Sequence, residues 1–130
     1  MSERESAILD SLSLWAERGD DPTEAVYEQL FSRYPELLEL FALDTDGGVR
    51  GSMLQHAFDC ILDYVGENRI AANLVSTSRI LHQGYGVPDG RFDEFFVVLR
   101  DSCRSALAQD WTDAMEAEWV DLLDVFARFS

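Results

Sequence analysis

An all-α domain is the fold class that the sequence predicts, and three observations carry it. Apolar residues recur at steps of three and four along nearly the whole chain, the spacing of one helix face. No segment alternates polar and apolar residues with period two. The breaks between periodic runs carry residues that start and stop helices. The 130 residues, 47% of them hydrophobic, suit a single domain over 1–130 that buries a core without staples.

The elements follow in order. Ile8, Leu12 and Trp15 mark a first helix ending near Gly19. Asp21 then offers a cap, Pro22 suits the first helical position, and Glu24 sits where the helix dipole favours a carboxylate. This second helix carries Val26, Tyr27, Leu30 and Phe31 until Pro35 breaks it and starts a short third helix, "PELLELF". Residues 42–49, "ALDTDGGV", read as a loop closed by Gly47 and Gly48. The next helix places Leu54, Phe58, Ile61 and Val65 on one stripe, and Gly66 and Asn68 break it. "RIAANLVSTSRILHQG" is a further helix with Leu74, Val75 and Leu81, stopped at Gly84. Pro88 and Asp89 open a long helix with Phe92, Phe95, Phe96, Leu99, Cys103 and Leu107. Thr112 caps the last helix, where Met115, Trp119, Leu122 and Phe126 form one stripe. About seven helices result, and no sheet.

Charge narrows the function classes. The formal net charge is −15, and all ten positive residues are arginine. Such a chain repels phosphate backbones and anionic bilayers, so neither nucleic acid nor membrane is an expected partner. The charged start "MSERESAILD" has no apolar run of signal-peptide type, and no stretch reaches transmembrane length. A soluble, cytoplasmic protein is expected. Cys60 and Cys103 have no metal-ligand spacing and lie in helical segments with apolar neighbours. Buried free thiols are the expectation, with a disulfide the open alternative. No Ser/His/Asp set, metal-type Cys/His cluster or phosphate loop indicates a hydrolase.

Three stretches, in order and at suitable spacing, resemble the globin family. "VYEQLFSRYPELLELF" has an apolar-aromatic pair, then Pro-Glu, then a phenylalanine six residues past the proline. "LHQGYGV" places a histidine before a Gly-Val exit, as at the end of the globin proximal helix. "LAQDWTDAMEAEW" is similar to the start of the last helix in bacterial globins. The likeness runs from about Tyr27 to Phe126 and is closest to bacterial single-domain globins and the globin part of flavohaemoglobins. It implies a globin fold packed around a haem b pocket.

The same resemblance assigns residues. His82 matches the proximal iron ligand, with Ser78 or its carbonyl as acceptor for the second ring nitrogen. On the residues alone, His82 is equally a helix-end histidine that favours the dipole. Phe41 matches the phenylalanine that wedges against the haem, and Tyr27 the distal position whose hydroxyl donates to a bound gas. Thirty-two residues before His82, the separation in flavohaemoglobin-like globins, lies Arg50, and one turn later Leu54 matches the apolar residue over the iron. A shifted register brings Met53 or Gln55 into the pocket instead. His56 lies about 200° around the helix from Leu54 and is expected to point away. Val87 matches the apolar residue under the haem, and Phe92 and Phe95 line the proximal side. Flavohaemoglobins carry a tyrosine where this chain has Phe92, so strong electron push toward the iron is not implied. Arg79 is expected at the surface, with a haem propionate as the alternative partner.

The implied function is reversible binding of O₂, NO or CO at iron held by His82. Any enzyme activity would be of nitric oxide dioxygenase type and would need a separate reductase, since no reductase domain follows. The alternative is a haem-free globin-fold sensor or adaptor that acts through a signalling partner.

Overall fold

A computed structural model describes the backbone of residues 3–18 and 21–129, and the side chains from Ala7 onward within those ranges. Six α-helices span Glu3–Glu17 (α1), Pro22–Arg33 (α2), Gly48–Val65 (α3), Ala71–Gly84 (α4), Asp89–Leu107 (α5) and Asp113–Arg128 (α6). Two 3₁₀ segments, Pro35–Phe41 and Ala108–Asp110, complete the order, and the described residues form no strand. The chain is all-α. No helix among the described residues is long and apolar enough to cross a membrane.

The boundaries follow local chemistry. The Asp21 carboxylate accepts from Thr23 N at 2.9 Å, and Pro22 opens α2. The Thr112 hydroxyl accepts from Met115 N at 3.1 Å at the start of α6. Each satisfies one of the orphan N–H groups that every helix start exposes. Gly19, where the first helix was expected to end, lies outside the described residues. Gly84 is the last residue of α4, but the left-handed turn falls at Gly86, with φ of +87°. There Gly86 N donates to Gln83 O at 3.0 Å and Val87 N to His82 O at 2.9 Å, which absorbs two carbonyls at the helix end.

The core sits between α1, α2, α5 and α6, with α3 closing one side. Val26, Ile61, Val65, Val98, Leu99, Leu107, Trp119 and Leu122 are all buried there. Ser11 is a fully buried polar residue within it. Its hydroxyl donates to Ile8 O at 2.6 Å and accepts from Trp119 Nε1 at 2.9 Å. That satisfies the buried indole and ties α1 to α6. Cys60 and Cys103 are both buried and free, so the thiol expectation holds and the disulfide alternative does not. α4 stands apart from this packing. It contacts α3 and α5, and its buried residues are Ala71, Val75 and Arg79.

Candidate functional site

Between α3, α4 and the first half of α5 lies a cavity of about 640 Å³. That is within the roughly 300–1,000 Å³ of small-molecule and cofactor sites. α3 supplies one wall with Val49, Ser52, Met53, His56, Ala57 and Cys60. α4 and the turn after it supply the opposite wall with Val75, Ser78, Leu81, His82, Tyr85 and Val87. Arg91, Phe92, Phe95 and Phe96 of α5 form the back. Leu30, Leu37, Leu40 and Phe41 close the end formed by α2 and the first 3₁₀ segment. The walls are apolar, and they reach the surface through exposed side chains. Leu40 is 50% exposed, Leu81 59% and Tyr85 75%.

His82 is the strongest ligand group on these walls. Its Nδ1 lies 2.7 Å from the Ser78 carbonyl, one turn back on α4. A carbonyl only accepts, so Nδ1 carries a proton, and in the neutral ring the lone pair belongs to Nε2. The Ser78 hydroxyl is 3.4 Å from the same nitrogen. Phe92 packs on the imidazole at 5.2 Å between ring centroids. The ring is therefore held in one tautomer and supported on one side, which is what a metal-ligating histidine requires.

Of the other residues expected in a pocket, Phe41, Val87, Phe92 and Phe95 do line the cavity beside His82. Tyr27 stands behind that wall and is absent from the lining. Its ring meets Phe41 at 5.5 Å and Phe95 at 5.8 Å. Its hydroxyl is enclosed and has no hydrogen-bond partner among the described residues. Burial pushes the phenol pKa up; the Arg50 charge opposes this and the Asp44 charge adds to it.

The distal register differs from the expected one. Leu54 is buried with Ile61 and Val65 in the main core and does not line the cavity. Arg50 does not line it either. Its Nε donates to Asp44 Oδ2 at 3.0 Å, and a second guanidinium nitrogen donates to Asp44 O at 3.1 Å. His56, expected to point away, is exposed, but it also borders the cavity. The reason is geometric. α3 has two faces about 100° apart, and the more regular stripe, Leu54/Phe58/Ile61/Val65, is the one the main core takes. The cavity receives Val49, Met53, His56, Ala57 and Cys60, which also recur at steps of three and four. That second stripe is present in the sequence, but the preferred register placed the regular stripe over the pocket. The alternative register had already admitted Met53; Gln55, named with it, instead bonds Asp59 at 3.1 Å and is exposed.

Arg91 is the only formally charged side chain on the cavity wall among the described residues. Its Nε donates to Glu36 at 3.0 Å, and its guanidinium lies 4.0 Å over the Tyr34 ring. Arg79, expected at the surface or on a propionate, is 4% exposed and bonds only to protein groups. Among the described residues no cluster of three or more His, Cys, Asp or Glu side chains is placed to hold a bare metal ion. Set against protein-family models, curated proteins and solved structures, the chain matches none.

Proposed function

We propose that the chain is a haem-binding protein of globin type that reversibly binds a diatomic gas, O₂, NO or CO. One observation carries the reading. The Nδ1 proton of His82 is committed to the Ser78 carbonyl, so the remaining lone pair belongs to a wall of an apolar cavity of cofactor size. The donor set suits haem b better than a bare cation, because a single neutral imidazole is one axial ligand and the porphyrin supplies the rest. When bound, the haem supplies an iron with a further coordination position for a small gas.

The chain's own residues would do the rest. His82 gives its Nε2 lone pair, and the Ser78 bond keeps the ring from turning. Phe41, Phe92 and Phe95 exclude water from the cavity and so slow oxidation. Met53 and Ala57 replace Leu54 as the apolar residues of the α3 wall. Donation from the Tyr27 hydroxyl, which has no acceptor among the described residues, to the bound gas would require the Phe41 and Phe95 rings in front of it to move aside, because Tyr27 does not line the cavity. Leaving a buried donor unpaired costs on the order of 1–3 kcal/mol, so an acceptor supplied by a ligand would be favourable. The exposed rim of Leu40, Leu81 and Tyr85 gains cover from a large apolar ring. Arg91 is the cation available to an acidic group of the cofactor.

A second reading, a haem-free globin-type adaptor, is favoured by one feature. Leu38, Leu43 and Ile80 are 54%, 96% and 62% exposed and lie outside the cavity lining. A cavity ligand would not touch them, whereas a protein partner would.

The test is a visible absorption spectrum of the purified chain, with haemin and then dithionite and CO. A Soret band that saturates at one haem per chain and shifts with CO is expected. His82→Ala should abolish stable uptake with helix content largely kept. No stoichiometric uptake by the wild type, or an unchanged spectrum in His82→Ala, would refute the haem reading. Tyr27→Phe should raise the O₂ off-rate, and an unchanged rate would show that its hydroxyl does not reach the ligand.

A further inference from the structure

α4 carries His82 but has little to hold it. Its buried residues are Ala71, Val75 and Arg79, and only Arg79 lies in the turn next to the histidine. The Arg79 guanidinium bonds three acceptors through two of its nitrogens. Its Nε donates to Phe129 O at 2.9 Å, and one terminal nitrogen donates to Phe126 O at 3.1 Å and to Asp93 Oδ1 at 2.7 Å. The other terminal nitrogen lies 4.0 Å from Asp89. Its central carbon sits 4.8 Å from the Phe92 ring, and that ring packs on His82 at 5.2 Å.

Two of these acceptors are carbonyls at the end of α6: Phe126 O in its last turn, which also accepts from Phe129 N at 3.2 Å, and Phe129 O just past it, where a helix runs out of internal donors. α6 ends in an extended Phe129 with no glycine cap, so Arg79 takes the capping role from another helix. A buried arginine is a costly way to pack a helix. An apolar side chain of similar volume often does as well or better. What the arginine adds is direction: a planar fork of five N–H donors has few arrangements that satisfy three acceptors.

We propose that Arg79 is a positioning residue for His82. It locks the ligand-bearing turn of α4 to α5 and to the end of α6, and it holds Phe92, the aromatic support of the imidazole, in place. The inference rests on His82 being the ligand of the cavity.

The test uses the full chain in a His56→Gln background, so that the ring nitrogen NMR signals come from His82 alone. The wild-type ring should show one tautomer with the proton on Nδ1. Arg79→Met should give tautomer-averaged or multiple ring signals, and its haemin affinity should fall about tenfold. Arg79→Lys keeps a cation near Phe92 but cannot bridge three acceptors, and should restore the signals only in part. Asp93→Asn removes one acceptor charge and should shift them in the same direction; it carries the test if Arg79→Met does not fold. Leu122→Ala, a buried change on α6, should lower the melting temperature without moving the His82 ring signals. Ring signals unchanged in both Arg79→Met and Asp93→Asn, whatever the loss of stability, would overturn the proposal. If the wild type takes up no haemin, the haem reading falls while the ring signals still decide the role of Arg79.

Discussion

α3 shows two kinds of surface on one helix. On one face Leu54, Ile61 and Val65 pack into the main core at 0–2% exposure. On the other, Val49, Met53, His56, Ala57 and Cys60 face a cavity. Both faces repeat with helical spacing, and both hold apolar residues. The first buries its side chains against α1 and α2, so each methyl group has protein on all sides. The second borders open space, so its side chains have protein on one side only.

Stability should split along the two faces. Ile61→Ala deletes fully buried groups and should cost about 2–5 kcal/mol in urea unfolding. Met53→Ala removes atoms that already border open space and should cost about 1 kcal/mol or less. Equal losses would mean that α3 has one packed surface and no distinct wall.

The two thiols sharpen the same contrast. Burial pushes Cys60 up to about 11 and Cys103 up to about 12. Neither forms much thiolate near neutral pH, so both should alkylate slowly. Cys60 borders the cavity, whereas Cys103 sits in the core with its thiol against Ser11 O at 3.6 Å. Cys60 should therefore react severalfold faster, and haemin should protect it alone. Identical rates would place both behind one global unfolding step. Because both folded values lie above the ordinary thiol value, the native state should also lose stability as pH rises past about 9.

A smaller effect concerns how α3 is aimed. Burial pushes the Asp44 carboxyl up, but the N–H groups of Val49 and Arg50 and the Arg50 guanidinium outweigh it and hold it below the usual carboxylate range. Its contribution is present above the unfolded value near 4 and is lost as pH falls through the lower folded one. Acid titration followed by circular dichroism should show this loss, and Asp44→Asn should remove part of it. An identical acid limb in the variant would mean that the Asp44 bonds do not anchor the start of α3. The smallest effect belongs to the rim. Arg91→Ala breaks a partly exposed pair with Glu36 and should weaken haemin uptake only about threefold. Uptake of the porphyrin dimethyl ester should not change. Equal losses for both would show that Arg91 supports the wall rather than meeting an acidic group.

The helices were legible because their signals are local. Asp21 and Pro22 at one end of α2 and Thr112 at the start of α6 act within one turn, and each was readable from neighbours alone. His82 and its Ser78 partner were legible for the same reason, since they sit four residues apart on one helix. Arg79 was not. Its partners at 93, 126 and 129 lie on two other helices, and nothing near it in sequence marks it as buried. Leu54 and His56 do lie on different faces of α3, but it is the face of His56, not that of Leu54, that borders the cavity.

By itself, then, the sequence determined the all-α class, the order of the helices and most of their ends, and the buried state of both cysteines. Those depend on periodicity, caps and composition, which act over a few residues. Only the tertiary structure decided which stripe of α3 meets the core and which meets the cavity, and where the arginines go. A helix with two apolar faces can be rotated by one residue without changing any local signal. What fixes the rotation is the shape of the helices packed around it.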